Sequence, residues 1–132
     1  LTGDVHFSAS GLADRSVRGD GLEIELLFNN LLKNAFEAAA SAGTSESPFV
    51  RISADPLEGA SGTLVITVEN SGRLLTDEAF RDLTTPLITS KSAGQGLGIP
   101  IATAIAEASG GHLEFERRPK GGLIARVTLP LA

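Results

Sequence analysis

Leu22 to Ala42 reads LEIELLFNNLLKNAFEAAASA. Its periodicity decides how the rest of the chain must be arranged. Ile24, Phe28, Leu31, Ala35, Ala38 and Ala42 recur at helical spacing, so the stretch is expected to be a helix with one apolar stripe. Glu25, Asn29 and Lys33 fall on the far side and are expected to face water. Asn30, Asn34 and Glu37 form a third line at i, i+4 and i+7, between Leu26 and Leu27 on the flank of the core stripe. Asparagine competes with the helix backbone for hydrogen bonds and is a poor mid-helix residue. A single one is readily explained by a neighbouring backbone group or by water. Two of them one turn apart, beside a core stripe, leave that reading and a ligand-binding one about equally open until the rest of the chain is weighed.

The 132 residues suffice for one domain with one core, and 42% hydrophobic with 20% charged residues suits a globular chain. A net charge of −5 argues against a nucleic-acid groove or a polybasic membrane surface. Cysteine is absent, which excludes disulfides and thiolate metal sites. No apolar run is long enough to span a bilayer, and no secretory pattern opens the chain. Methionine is absent even at residue 1, so residues 1–132 are expected to be a single domain that is a fragment of a longer protein.

Taken in order, Val5 to Ser8 alternates as a short strand, and Gly11 to Gly21 is turn-rich, with a second strand conceivable around Ser16 to Arg18. Asp20 can cap the long helix, and Gly43 can follow its C-terminus. Phe49 to Ala54 and Thr63 to Glu69 alternate strictly and are joined by a turn, so they are expected to pair as an antiparallel hairpin. A short helix is expected from Thr76 to Leu83. Ile99 to Ser109 forms another, with Pro100 in its first turn and Gly110-Gly111 at its end. His112 to Glu116 and Leu123 to Leu129 close the chain as strands, Leu113 and Phe115 facing inward. The order β, α, β, β, short α, loop, α, β, β predicts an α+β fold, a two-layer α/β sandwich. Its sheet is mixed and mostly antiparallel, with helices on one face.

Three features can meet around one nucleotide: Asn30 with Asn34, Glu69-Asn70-Ser71-Gly72 at a strand end, and Gly94-Gln95-Gly96-Leu97-Gly98 running into a helix. Glycines before a helix let backbone amides approach a phosphate closely. Lys91 adds a cation just upstream. Taken singly, a glycine loop is weak grounds for a nucleotide site. The ordered set NNLLKNAFEAA, ENSG, TPLITSKSAGQGLGIPIATAIAEASGGHLEF and GGLIARVTLPL resembles the ATP-binding catalytic domain of bacterial sensor histidine kinases. These belong to the superfamily of the gyrase, Hsp90 and MutL ATPases. The likeness covers about Asp20 to Leu131, and its second half looks most like kinases of the nitrogen- and dicarboxylate-sensing type.

That resemblance implies a protein-histidine kinase activity with ATP and Mg²⁺ as cofactors. Asn34 and Asn30 would hold Mg²⁺ and, with Lys91, serve the transfer. Gly94, Gly96, Leu97 and Gly98 would cradle phosphates, Asn70 and Gly72 would line the adenine pocket, and Glu37 would belong to the same ATP site. Leu75 to Ala93 would form a lid. The implied partners are a histidine-bearing dimerisation domain of the same protein and a downstream response regulator. No nucleic acid and no direct membrane contact by this domain are implied, and the expected location is cytoplasmic, with membrane anchoring of the full-length protein left open. His6 and His112 are not read as the phosphoacceptor, because both fall in strands while the family's acceptor lies on a helix outside this domain.

The chain departs from the family pattern at three places. Asn70 stands where the family has an aspartate, so a neutral acceptor replaces a charge-assisted one, which would be about twice as strong. Glu69 cannot stand in for it, because strand alternation turns it to the other face. Leu74 replaces a second glycine, and Glu37 occupies an often basic position. Alternative readings are a stand-alone anti-sigma-type serine kinase, against which the TSK run argues, and a degenerate, nucleotide-free partner-binding module. A gyrase-type ATPase is disfavoured: its general-base glutamate would fall where this chain has Asn30.

Overall fold

The computed structural model describes residues 6–10, 21–41, 47–56, 62–84 and 98–130. Five strands and three helices follow the expected order: β1 His6–Ser10, α1 Gly21–Ser41, β2 Phe49–Pro56, β3 Thr63–Asn70, α2 Asp77–Thr84, α3 Gly98–Ala108, β4 His112–Arg117 and β5 Leu123–Pro130. They form one sheet in the order β1-β2-β3-β5-β4. β1 pairs with β2 in parallel, which requires a crossover, and α1 lies in it. The remaining pairs are antiparallel, including the β2–β3 hairpin. The α+β sandwich with a mixed, mostly antiparallel sheet is therefore as expected.

Strict alternation gives the sheet one dry face. Val50, Ile52 and Ala54 of β2, Leu64, Ile66 and Val68 of β3, and Ala125, Val127 and Leu129 of β5 are all buried. Register aligns them in rows: Ile52 opposite Val68 opposite Ala125, and Ala54 opposite Ile66 opposite Val127. α1 covers this face with Leu27, Leu31, Ala35 and Ala39, and α3 with Ala102, Ile105 and Ala106. Each fully buried leucine of such a core contributes roughly 1.5–3 kcal/mol relative to exposure. The opposite face of the sheet is polar, carrying Arg51, Glu69, Glu116 and Arg126 in paired contacts.

The stripe expected on α1 needs one correction. Its buried line runs Leu27, Leu31, Ala35, Ala39, while Ile24 and Phe28 are only partly buried and Ala38 is exposed. The sheet and α3 pack on α1 from two directions, so the buried arc is centred between them, and Ala38 falls at its edge. Glu25, Asn29 and Lys33 face water as expected. Val5, the Ser16–Arg18 segment, the capping Asp20, Ala42 and Gly43 lie outside the described residues.

α3 ends where Gly110-Gly111 predicts. The Gly110 amide donates to Glu107 O and the Gly111 amide to Ala106 O, with Gly110 at φ 91, the pairing of a glycine-terminated helix. α2 begins on Thr76, whose Oγ1 accepts from the Ala79 amide at 3.0 Å. Arg117, at the end of β4, anchors the approach to α2. Its Nη1 lies 2.7 Å from Asp77 Oδ1 and donates to Leu75 O at 3.1 Å, and its guanidinium covers the Phe80 ring.

Candidate nucleotide site

A cavity of about 310 Å³ opens between α1 and the ends of β3, β4 and β5. Its helix wall consists of Leu31, Asn34, Ala35, Glu37 and Ala38. Its floor is Val68, Asn70, Phe115, Leu123 and Ala125, and its rim is Gly72, Arg73, Leu75 and Gly122. A mostly apolar pocket with a few convergent polar groups is the usual form of a small-molecule site. Ala38 is exposed because it faces this space rather than the core.

Helical periodicity brings Asn34 into the cavity, with Glu37 three residues on. Asn30, one turn before Asn34, is half-buried and is not part of the cavity lining. Its Nδ2 is buried and has no hydrogen-bond partner among the described residues. Leaving such a donor unpaired costs about 1–3 kcal/mol, so it calls for an explanation.

Asn70 ends β3 and is only 4% exposed. Its Nδ2 donates one of its two hydrogens to Ser71 O at 2.8 Å, which leaves the acceptor Oδ1 and the second N–H for a ligand. The next residue staples this segment to β2. The Ser71 amide donates to Phe49 O at 3.0 Å, and Ser71 Oγ accepts from the Phe49 amide at 2.8 Å. Glu69 faces the other side of the sheet, as alternation requires, and pairs there with Arg51 and Arg118. Leu74 is 69% exposed and takes no part in the cavity, so it does not obstruct the space.

Gly121 and Gly122, which the sequence marks only as a turn, are part of the site's construction. Both have positive φ, 107° and 98°. A Cβ on Gly122 would lie 2.0 Å from Asn70 O, and one on Gly121 would lie 2.1 Å from Gly72 O. The Gly122 amide donates to Arg73 O at 3.1 Å. The turn between β4 and β5 thus lies flat against the backbone that carries Asn70. Arg73, Leu75, Phe115 and Leu123 also escape sequence reasoning as lining residues. For Leu75 alone, its place at the start of the expected lid was a signal.

Gly98 begins α3. Lys91, Gly94, Gly96 and Leu97 lie outside the described residues, as do residues 85–97 as a whole. His6 and His112 both stand in strands, and His112 Nε2 lies 3.8 Å from Glu114 on the surface. Among the described residues no three acidic, histidine or cysteine side chains converge on a metal position. A divalent ion at α1 would have to share amide oxygens of Asn34 and Asn30 with ligand oxygens and water. That donor set fits Mg²⁺, which keeps most of its shell as water or phosphate oxygen. No described helix is long and apolar enough to cross a membrane.

The profile of the "Histidine kinase-, DNA gyrase B-, and HSP90-like ATPase" family matches residues 19–132. The chain is 31% identical over 128 residues to the sensor protein FixL of Bradyrhizobium diazoefficiens, covering 97% of this chain and 24% of FixL. It is 35% identical over 107 residues to the C4-dicarboxylate transport sensor protein DctB of Rhizobium meliloti, covering 81% of this chain and 16% of DctB. The chain therefore spans a quarter or less of these two relatives. Among solved structures, the nucleotide-free catalytic domain of histidine kinase ThkA superposes with a TM-score of 0.74 at 26% identity, over 96% of this chain and 78% of that one.

Proposed function

The chain belongs to the histidine kinase-, DNA gyrase B- and HSP90-like ATPase family, and from that membership we propose that it is the ATP-binding catalytic domain of a two-component sensor histidine kinase. The observation that carries this reading is the cavity itself: Asn34 from α1 and Asn70 with Gly72 from the end of β3 face one space. Asn70 Oδ1 accepts the adenine amino group, while its Nδ2 stays on Ser71 O. Leu75, Phe115 and Ala125 cover the base with apolar surface. Glu37 faces the same cavity from α1.

Asn34 and Asn30 would hold Mg²⁺ by their amide oxygens, Asn34 from the cavity wall and Asn30 from one helical turn before it. Bound Mg²⁺ neutralises charge on the phosphate oxygens. Gly94, Gly96, Leu97 and Gly98 offer backbone amides to the phosphates, and Lys91 reaches the terminal one. The γ-phosphoryl group passes from its bridging oxygen to an imidazole nitrogen of a histidine on a separate dimerisation domain of the same protein. ADP is the leaving group, and catalysis is mainly positioning and electrostatics. A response regulator then receives the phosphoryl group, and the domain works in the cytoplasm.

Calorimetric titration tests the reading. ATP is expected to bind in the presence of Mg²⁺ and far more weakly with EDTA. Absence of binding under both conditions would favour a nucleotide-free docking module instead.

A further inference from the structure

The Asn70 segment owes its place in the cavity to the β4–β5 turn, and that turn is held from the opposite face of the sheet. Arg118 precedes the turn and is the side chain that holds it. Its Nη1 donates to Gly121 O at 2.6 Å and its Nε to Glu69 Oε2 at 2.8 Å. Its guanidinium stacks over the Phe49 ring, 4.8 Å from the centroid. Its backbone closes the same turn, the Arg118 amide donating to Gly122 O and Arg118 O accepting from the Gly121 amide. The Arg118 and Glu69 side chains are only 11% and 22% exposed, so solvent screens this pair weakly.

Each contact of this cluster ends on a residue next to the base pocket. Glu69 adjoins Asn70 in β3. Phe49 exchanges hydrogen bonds with Ser71, which in turn fixes the Asn70 carboxamide. Gly121 and Gly122 press on the backbone of residues 70–73 with no side chain between. Arg51 pairs with the second oxygen of Glu69 and covers Phe49 at 4.7 Å, so Glu69 is held by two arginines. None of these side chains lines the cavity.

We propose that Arg118, braced by Glu69 and Phe49, is a positioning residue that sets base selectivity by clamping the Gly121–Gly122 turn against the Asn70 segment. The inference rests on the reading of Asn70 as acceptor of the adenine amino group. With the clamp loosened, Asn70 keeps its chemistry but no longer presents Oδ1 at a fixed place. The nucleotide should then be held by its phosphates alone.

The test compares ATP with purine riboside triphosphate, which lacks the amino group, by calorimetry with Mg²⁺. The wild-type domain, Arg118→Lys and Glu69→Gln are compared, with tripolyphosphate as a base-free probe. A lysine can satisfy Glu69 but cannot also reach Gly121 O and stack on Phe49. The wild type is expected to prefer ATP on the order of fivefold, the equivalent of one net hydrogen bond. In Arg118→Lys that preference should fall close to unity, in Glu69→Gln it should fall part of the way, and tripolyphosphate binding should stay unchanged in both. A lower melting temperature with the wild-type preference intact would overturn the proposal and leave Arg118 a brace for stability only. Equal loss of all three ligands would also overturn it. A wild-type domain that binds ATP but does not distinguish it from the purine analogue would instead defeat the reading of Asn70, and the proposal with it.

Discussion

The two sides of the cavity are made of different material. The α1 side is side chains on a helix: Leu31, Asn34, Ala35, Glu37 and Ala38 reach the space because of their spacing alone. The sheet-end side is backbone on backbone. The end of β3 with the residues after it, Asn70 to Arg73, and the Gly121-Gly122 turn are separate segments, yet they pack so closely that no Cβ on either glycine fits between them. The contrast shows where each side is vulnerable. A helix side chain can be removed with its function while the helix stays. The sheet-end side cannot lose its fit without losing the segment that carries Asn70.

The largest expected effect comes from Gly122→Ala. It forces an alanine to φ 98 and drives a Cβ to 2.0 Å from Asn70 O. The cost should be on the order of 3 kcal/mol or more, seen as a lowered denaturation midpoint together with loss of ATP binding. A variant of wild-type stability would break the contrast, because the sheet-end side would then be as tolerant as the helix.

Asn34→Ala should separate the two sides in the opposite sense. Alanine is the better helix former, so stability should hold or rise by a few tenths of a kcal/mol. Mg²⁺-dependent ATP binding should nevertheless disappear by calorimetry. Nucleotide affinity unmoved by both the substitution and EDTA would refute the role given to Asn34.

Asn70→Asp is more subtle, because the structure adds a term that the sequence does not contain. A carboxylate accepts the adenine amino group more strongly, which the sequence would score as a gain of about 1 kcal/mol. It also replaces the donor that satisfies Ser71 O, leaving two oxygens apposed in a buried place. The free domain should therefore lose about 1–2 kcal/mol of stability, while the rise in melting temperature caused by Mg-ATP should exceed that of the wild type. A rise no larger than the wild type's would mean that Oδ1 does not meet the base.

Leu74→Gly should do least. The sequence marks Leu74 as a departure from the family's second glycine, but its side chain is out in solvent. Stability and ATP affinity should each change by about 0.5 kcal/mol or less, by chemical denaturation and calorimetry.

How much of this was legible beforehand follows the same division. The alternation of Val50, Ile52, Ala54 and of Leu64, Ile66, Val68 specified strands with one dry face, and the register then followed from pairing those faces. The line Asn30, Asn34, Glu37 was visible because helical period places side chains without reference to the rest of the molecule. What escaped was set by distant partners. Ala38 left the core stripe because α3 and the sheet share α1 between them. Phe115 and Leu123 became cavity floor because β5 starts beside the end of β3 and carries β4 on its far edge.

Local periodicity and turn chemistry thus determined the elements, the fold class, the two asparagines on one helix face and the separation of Glu69 from Asn70. Tertiary structure alone decided that Gly121-Gly122 is a supporting surface rather than a simple turn, that Asn70 spends one N–H on Ser71, and that Arg118 grips the arrangement from behind. The physical reason is range. A side chain's direction on a helix or strand is fixed by its own backbone. A close backbone contact or a buried ion pair exists only when segments far apart in the chain are brought to the same place, and no single segment encodes that meeting.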